Sequence, residues 1–346
     1  MKRIVLGLSG GVDSAVSARL LQQEGYEVLG VYLDIGGERE REDAIRAAEF
    51  LGLELKILDI RSELEEKVCK PFRAAYMRGE TPNPCILCNP AVKFKALCDT
   101  ADECGIVHVA TGHYAKSRDG KLYKGQPEND QSYMLCRLRP EQAQRLILPL
   151  GEFPKGEVRE MARQMGIPVA DKPDSMEICF IPDKDYVAWL SARGELPPSG
   201  DFVFHGKVIG RHEGIVRYTV GQRRPGLYEG RKLYISGIDA ANNRIELALW
   251  EELFKTEVYV RELNWLIEAP AESLRASVRV RHTKWENPAC TVEILSGDEA
   301  LIHCDSPVRA PAPGQAAALY CGEQLVGGGK ICSCGGGILP PNQTSL

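Results

Sequence analysis

The stretch Ser9-Gly10-Gly11-Val12-Asp13-Ser14 decides the fold, because it joins a short apolar run at residues 3–8 to an amphipathic pattern at residues 14–24. Glycines let a backbone come close to a ligand, and the helix that follows directs several N–H groups into one concavity. Such a concavity suits a pyrophosphate group. The alternative is a simple helix-capping turn with serine and aspartate as cap residues. A strand before the glycines and a helix after them favour phosphate binding.

The loop matches neither of the two commoner nucleotide motifs, since no lysine follows its glycines and its spacing is not G-x-G-x-x-G. Around it, buried strands are predicted at residues 3–8, 28–34, 53–59 and 108–111, with helices at 14–24 and 41–51. Alternation of this kind predicts an α/β fold with a parallel sheet covered on both faces. Ligands of such sheets bind beyond the carboxyl ends of the strands, where this loop lies.

The second half of the chain has a different pattern. A helix is predicted at residues 155–165, and Pro197-Pro198-Ser199-Gly200 then breaks the alternation. Short alternating runs follow at 231–238 and 244–249, and later at 257–263, 275–282, 290–295, 300–304 and 316–320. We therefore expect three domains, at residues 1–198, 199–255 and 256–346: a nucleotide-binding domain, a small β-rich domain and a C-terminal β-barrel.

Composition limits the class of protein. The 346 residues exceed the length of one core, and a net charge of -5 is not that of a globally basic nucleic-acid binder. No run approaches the ~20 apolar residues of a membrane helix, and the N-terminal run is too short for a signal peptide. Twelve cysteines in a long chain without an export signal favour reduced thiols, and hence the cytoplasm.

Charge is unevenly distributed along the chain. Residues 205–235 hold seven lysines or arginines against two acids, with Tyr218, Tyr228 and Tyr234 among them, whereas residues 38–66 hold ten acids against five bases. A basic stretch with aromatic residues suits a phosphate backbone, although a solvated charged face is the alternative. An RNA partner is expected on the basic side. Arg279, Arg281, His282, Lys284 and Trp285 form a second candidate contact.

Several further motifs follow the glycine loop in a fixed order. They are Thr81-Pro82-Asn83-Pro84-Cys85-Ile86-Leu87-Cys88-Asn89, Val92-Lys93-Phe94, Ala110-Thr111-Gly112-His113-Tyr114, Asp130-Gln131-Ser132-Tyr133, Ile178-Cys179-Phe180-Ile181, Tyr218-Thr219-Val220-Gly221-Gln222-Arg223 and Pro313-Gly314-Gln315. The loop resembles that of the N-type ATP pyrophosphatases, and the whole series resembles the tRNA-specific 2-thiouridylases. The resemblance implies a Rossmann-like fold of the adenine nucleotide alpha hydrolase type, and adenylation of the wobble uridine 2-oxygen followed by its replacement with sulfur.

The resemblance also implies ligands and partners. They are ATP with Mg²⁺, the anticodon stem-loop of tRNA, and a cysteine desulfurase or sulfur carrier as the sulfur donor. The residues implied for ATP are Gly7, Leu8, Ser9, Gly10, Gly11, Val12, Asp13, Ser14, Leu33 and Gly112. Those implied for the target base and tRNA are Asn83, Pro84, Cys85, His113, Asn129, Asp130, Gln131, Arg281, His282 and Gln315. Two positions depart from the family pattern, since Asn129 stands where lysine is usual and His282 where tyrosine is usual.

Two cysteines are implied as the catalysts. Thiolates carry persulfide sulfur well, and in the family the cysteine matching Cys179 receives sulfur while the one matching Cys88 assists its transfer. Cys98, Cys104, Cys136, Cys290 and Cys304 are predicted to be inert core thiols, because they lie among apolar neighbours or in strand patterns. Cys332 and Cys334, near the glycine-rich tail, are assigned to a flexible end in preference to a metal site.

Cys85 is a departure of greater consequence, since many family members carry aspartate there. Cys85-x-x-Cys88 together with Cys179 could hold a 4Fe-4S cluster with one open iron. The pair could instead resolve a persulfide, or form a structural zinc site. The spacing alone does not decide among the three.

Two other functional classes compete with thiolation. A small-molecule ligase of the same superfamily, such as an amide-forming synthetase, needs no basic second domain and has no use for three cysteines. A non-catalytic RNA-binding protein has no reason to keep the loop intact.

Overall fold

The structure, a computed structural model, describes residues 2–170, 178–181, 184–224, 226–281 and 287–334. Its first part contains seven strands: β1 (Lys2–Gly7), β2 (Tyr26–Asp34), β3 (Glu54–Asp59), β4 (His108–Ala110), β5 (Ala115–Arg118), β6 (Lys121–Lys124) and β7 (Leu146–Ile147). Five of them form a sheet in the order β3-β2-β1-β4-β7, with every neighbouring pair parallel. The predicted parallel sheet is confirmed.

Helices cover both faces of this sheet. The helices of this part of the chain are α1 (Val12–Gln23), α2 (Glu38–Leu51), α3 (Arg61–Leu64), α4 (Lys70–Met77), α5 (Pro84–Cys88), α6 (Phe94–Glu103), α7 (Pro140–Gln144), α8 (Lys155–Gln164) and α9 (Tyr186–Ser191). Alternation along β1 divides the core, because neighbouring side chains of a strand point to opposite faces. Ile4 packs in one core with Val16 of α1, whereas Val5 packs in another with Leu97 of α6.

The prediction that residues 53–59 form a buried strand is wrong in one respect. The strand exists as β3, but its residues are exposed or half-buried, and Ile57 is 37% exposed. β3 lies at the edge of the sheet and pairs with β2 alone. An apolar run therefore did not distinguish an edge strand from a central one.

The middle of the chain forms a separate four-stranded sheet. Its strands are β8 (Gly200–Phe204), β9 (Lys207–His212), β10 (Tyr234–Asp239) and β11 (Arg244–Ala248), in the order β10-β11-β8-β9. Six strands follow: β12 (Phe254–Trp265), β13 (Ser273–Arg279), β14 (Ala289–Ser296), β15 (Glu299–Arg309), β16 (Ala316–Cys321) and β17 (Gln324–Cys334). They form a barrel because β12 pairs with both β15 and β17. The β-rich middle domain and the barrel were both predicted.

The last strand overturns the prediction of a flexible end. Cys332 and Cys334 both lie in β17, where the glycine-rich run is part of the ladder with β12 and β16. At Gly328 an added Cβ would lie 2.7 Å from the carbonyl oxygen of Ala317 and 3.0 Å from Cys136. The glycine thus permits close packing of a strand rather than mobility.

The hairpin β5–β6 of the first domain joins the barrel sheet by pairing β6 with β17. Beside it, Asp130 and Arg279 form a buried ion pair at 2.7 Å between the two domains. The Asp130 carboxylate also accepts hydrogen bonds from the backbone of Gly125 and from the backbone and hydroxyl of Ser132. These contacts fix the barrel against the nucleotide-binding domain. Among the described residues, no helix is both long and apolar enough to cross a membrane.

We predict that Arg279→Met lowers the free energy of unfolding by about 3 kcal/mol, because it removes the cation from a buried carboxylate. The measurement is the midpoint of urea unfolding. Arg275→Met is the matched control, since Arg275 lies on the same strand and pairs at the surface with Asp305; an exposed pair of this kind is worth about 1 kcal/mol or less. Equal shifts of the unfolding midpoint in the two variants would show that the buried ion pair contributes no more to stability than the exposed one.

Candidate active site

The glycine loop is held in a fixed conformation by its own side chains. The Ser14 hydroxyl donates to the carbonyl of Gly11 at 3.0 Å and accepts from the backbone N–H of Ser9 at 3.2 Å. Leu8 donates its backbone N–H to Val31 of the neighbouring strand at 2.8 Å. Helix α1 begins at Val12, with Gly11 as its N-cap and no side-chain cap hydrogen bond. The loop is therefore not a helix-capping turn with a serine or aspartate cap. The first N–H groups of α1 stay available to a ligand.

Close backbone contacts explain one glycine of the loop and a second glycine that packs against the loop. Gly10 has φ of +73°, and an added Cβ would lie 2.5 Å from the backbone nitrogen of Ala44. Gly112, after β4, approaches the loop from the other side, and a Cβ there would lie 3.0 Å from the carbonyl carbon of Asp13 and 3.1 Å from the nitrogen of Ser14. Only glycine lets α2, the loop and the end of β4 come together in this way.

Asp13 lies at the edge of the loop with its carboxylate oriented by two neighbours. Tyr114 donates its hydroxyl proton to Asp13 Oδ1 at 2.6 Å, and Lys155 Nζ lies 3.8 Å from Oδ2. The carboxylate remains 30% exposed. Leu33 lies near the end of β2, half-buried against two of the hydrophobic cores. The residues predicted for ATP, Gly7 to Ser14 with Leu33 and Gly112, therefore lie at the carboxyl ends of β1, β2 and β4.

The helix α5, which carries Cys85 and Cys88 and is called the thiol helix below, begins with residues that favour a helix start. Asn83 is the N-cap and accepts the backbone N–H of Cys85 at 3.2 Å, and Pro84 occupies the first turn, where its missing N–H costs nothing. Cys85 is exposed and Cys88 is half-buried. A π-helical turn, Asn89–Lys93, follows directly and leads into α6.

The three predicted thiols interact electrostatically with one another and with Lys93. Burial raises the pKa of Cys88, the ammonium of Lys93 opposes that increase, and Cys85 adds to it. Burial together with Cys88 raises the pKa of Cys179 to about 11, again opposed by Lys93. Both thiols are therefore largely protonated at neutral pH, and Lys93 is the group that favours their reactive thiolate forms.

His113 connects the thiols to the nucleotide loop. It follows Gly112, its ring stacks on Phe94 at 5.8 Å, and its Nδ1 lies 2.7 Å from the Thr111 hydroxyl. Burial, with a smaller contribution from Lys93, lowers the pKa of His113 to about 3. The imidazole is thus neutral at physiological pH, so any contact that it makes with RNA is a neutral hydrogen bond.

Comparison with known proteins decides the family. Family models match three successive parts of the chain: the tRNA methyl transferase HUP domain at residues 2–183, the tRNA methyl transferase PRC-barrel domain at 197–248 and the aminomethyltransferase beta-barrel domain at 255–331. The tRNA-specific 2-thiouridylase MnmA of Geobacter metallireducens is 39% identical, over 95% of this chain and 96% of its own. That of Syntrophotalea carbinolica is 40% identical, over 95% and 98%.

This chain belongs to the tRNA-specific 2-thiouridylase family. Membership implies use of ATP by the HUP domain and sets aside the ligase and the pure RNA binder as alternatives. A solved 4-thiouridine synthetase–RNA complex with bound ATP is 21% identical, with a TM-score of 0.36 over 56% of this chain and 50% of its own. A similarity at that level adds nothing to the assignment.

The residues predicted to contact tRNA occupy different surroundings in this thiouridylase. Asp130 is buried in the interdomain ion pair, and Gln131 Oε1 accepts the backbone N–H of Tyr114 at 3.0 Å. Asn129 has buried amide atoms without a hydrogen-bond partner in the described part of the chain. Arg281 donates to the carbonyls of Val220 and Ala310. His282, Lys284 and Trp285 lie outside the described residues.

The basic stretch of the middle domain is largely exposed, with only Arg224 half-buried. Its tyrosines are different, because Tyr218 packs against Phe202 and Tyr234 against Trp250. Tyr228 likewise packs against Phe204. These three rings pack at the edge of the domain's hydrophobic core, and the prediction that the basic stretch contacts a phosphate backbone stays a prediction.

The thiols do not form a metal site in this structure. Over the described ranges, no group of three or more histidine, cysteine, aspartate or glutamate side chains is arranged to hold a metal ion. Cys85, Cys88 and Cys179 therefore do not stand together as such a group in the described residues, and the cluster and zinc alternatives stay predictions. Of the other cysteines, Cys98, Cys136, Cys290 and Cys304 are buried as predicted, whereas Cys104 is half-buried and accepts a hydrogen bond from Lys56.

Three contributors to the site were missed from the sequence. Tyr114 and Lys155 orient Asp13, and Lys93 affects both thiols. Tyr114 and Lys93 stand inside quoted motifs, so the motifs were the available signal. Lys155 is 142 positions from Asp13, and nothing local links the two.

Gly112→Ala is expected to weaken ATP binding at least about tenfold, because its methyl group would displace the Asp13–Ser14 backbone by a few tenths of an ångström or more. Isothermal titration calorimetry with ATP measures the effect. Gly156→Ala is the control, since a Cβ there meets nothing within 4 Å. Unchanged ATP affinity in Gly112→Ala would remove this contact from the nucleotide site.

We expect Lys93→Met to raise the pKa of the Cys88 and Cys179 thiols, because it removes the charge that favours their thiolates. Alkylation of Cys88 and Cys179 at pH 8, followed by mass spectrometry, should then slow several-fold, since the rate follows the thiolate fraction. Lys93→Arg should largely restore it. Lys95→Met is the control, as Lys95 pairs with Asp99 on the exposed side of α6. Equal alkylation rates in Lys93→Met and the unmodified protein would contradict this role.

Proposed function

We propose that this protein uses ATP to adenylate the 2-oxygen of the wobble uridine of tRNA and then replaces that oxygen with sulfur carried by Cys179. The observation that carries the proposal is the link between the two halves of the site. Lys93 interacts with Cys88, Cys179 and His113, and Gly112, next to His113, contacts the nucleotide loop. A nucleotide on the loop and a sulfur on the thiols would therefore meet at one base.

In the first step, the uridine 2-oxygen attacks the α-phosphorus of ATP. The new O–P bond forms as the bond to the β-phosphate oxygen breaks, and pyrophosphate leaves. The N–H groups at the start of α1 would bind its negative charge. Mg²⁺, bound to the phosphates, would neutralise further charge, and the exposed carboxylate of Asp13 is the loop group suited to hold it.

In the second step, the terminal sulfur of a Cys179 persulfide attacks C2 of the uridine, and AMP leaves with the original oxygen. The Cys88 thiolate then attacks Cys179 Sγ, and the electron pair of the persulfide S–S bond passes to the sulfur on the base, giving 2-thiouridine. A Cys88–Cys179 disulfide remains. A thiol reductant must return it to two thiols, and a desulfurase or sulfur carrier must reload Cys179.

tRNA is proposed to lie along the exposed basic residues of the middle domain and to enter between the catalytic domain and the barrel. A cavity of about 290 Å³ lies at that boundary, lined in part by Asn83, Arg137, Gln315 and Lys330. The partnerless amide of Asn129 is a further candidate contact. The side chains of three other predicted tRNA contacts would then hold the protein surface in place rather than bind RNA. They are those of Asp130, Gln131 and Arg281.

The persulfide route is preferred over a cluster because the thiols of the described chain do not converge as a metal site. We predict that Cys85→Asp protein, purified free of iron, still thiolates tRNA from a persulfide donor. Thiolation in the unmodified protein that depends on iron, and is lost in Cys85→Asp, would overturn the persulfide route.

Cys88→Ser and Cys179→Ser should separate the two steps. Both are expected to retain tRNA-dependent pyrophosphate release, because the nucleotide loop is intact, and to lose 2-thiouridine, because the sulfur path is broken. A pyrophosphate assay measures the first activity, and mass spectrometry of the tRNA nucleosides measures 2-thiouridine. Cys321→Ser, in the barrel, is the control and should keep both activities. Normal thiolation in Cys179→Ser would reject the proposed sulfur carrier.

A further inference from the structure

The segment that leads into the thiol helix is bound by the barrel through its backbone. Thr81 donates its N–H to the carbonyl of Pro313 at 2.7 Å, and its own carbonyl accepts a hydrogen bond from Gln315 Nε2 at 2.8 Å. Both polar groups of one peptide residue are therefore paired with the same barrel turn, residues 313–315. The Thr81 hydroxyl takes no part, since it is buried without a hydrogen-bond partner among the described residues.

The barrel turn is shaped for this contact. Gly314 has φ of +91°, and an added Cβ would lie 2.9 Å from Glu80 Cβ and 3.0 Å from the nitrogen of Thr81. Lys330 Nζ adds an ion pair to Glu80 at 2.9 Å. The buried Tyr133 donates its hydroxyl proton to the Ala316 carbonyl at 2.9 Å, which fixes the start of β16 beside Gln315.

Only Pro82 separates Thr81 from the cap of the thiol helix. Asn83 accepts the N–H of Cys85, and its Nδ2 lies 3.6 Å from Met134 Sδ. Along α5, Asn83, Ile86 and Leu87 line the cavity beside the barrel turn, whereas Cys85 and Cys88 do not. At 100° per residue the two sets lie on opposite faces of the helix. The barrel turn thus contacts the segment before the helix and lies beside the helix face that carries Ile86 and Leu87. The face that carries Cys85 and Cys88 is left open.

We infer that Gln315 is a positioning residue, which sets the place of Cys85 and Cys88 by holding the Thr81 backbone from the barrel. For catalysis this inference rests on the proposed function. It assigns the barrel a second task, because the domain that is proposed to flank the tRNA also fixes the helix that carries the sulfur chemistry. A misplacement of about 1 Å at a reacting group can cost about a hundredfold in rate.

The test is Gln315→Ala in the full chain, first without tRNA or ATP. Loss of the bond to Thr81 should increase hydrogen–deuterium exchange of the peptide that covers residues 80–90 and should change the alkylation rate of Cys88 at least about threefold. With substrates, the kcat of thiolation should fall about tenfold while the KM for tRNA stays unchanged. Lys330→Met, which removes the ion pair from β17 to Glu80 beside Thr81, should produce the same changes to a smaller degree.

Gln22→Ala is the matched control, because Gln22 Nε2 also donates to a backbone carbonyl, that of Leu51, away from the site. It should leave exchange at residues 80–90 and thiol reactivity unchanged. Unaltered exchange and alkylation in Gln315→Ala, with a raised KM for tRNA, would make Gln315 a direct RNA contact and overturn the inference. Altered thiol reactivity with an unchanged kcat would overturn it as well. The measurements on the free protein hold even if the proposed reaction is wrong.

Discussion

The approach of Gly112 to the backbone of Asp13 and Ser14 is the contact on which the site depends. It brings the end of β4 against the start of α1, so that Tyr114 can reach the Asp13 carboxylate and His113 can stack on Phe94. A side chain at position 112 would separate these elements. The contact thus links the nucleotide loop to His113 and Phe94, the residue that follows the π-helical turn after the thiol helix, as the proposed reaction requires.

Two opposing effects act on the pKa of the Cys88 and Cys179 thiols: burial raises it and the Lys93 ammonium lowers it. Burial favours the protonated thiols of Cys88 and Cys179, which lowers their reactivity toward oxidants and electrophiles, whereas Lys93 favours the thiolates. A persulfide is more acidic than a thiol, so it would ionise where Cys179 itself does not. The same surroundings then favour the loaded cysteine as a nucleophile over the empty one. Cys85 and Cys179 are exposed residues, whereas Cys88 is half-buried.

The nucleotide-binding part of the fold was predictable because its signals are local: a strand, a glycine loop and a helix follow one another within 23 residues. The barrel followed from evenly spaced alternation. Features that depend on distant partners were not predictable. Asp130 was assigned to RNA but pairs with Arg279, 149 positions away, and Gln315 holds Thr81, 234 positions away. Cys332 and Cys334 were assigned to a flexible end but lie in β17, because composition does not show which strand a segment pairs with.

The most direct test of the account is to follow the oxygen that leaves the uridine. A tRNA carrying a heavy-oxygen label at C2 of its wobble uridine is incubated with the protein, ATP and a persulfide donor, and the AMP is analysed by mass spectrometry. Adenylation of the 2-oxygen predicts that the label appears in AMP, in an amount equal to the 2-thiouridine formed. Unlabelled AMP, or AMP produced equally without tRNA, would contradict the central claim that ATP activates the base oxygen for replacement by sulfur.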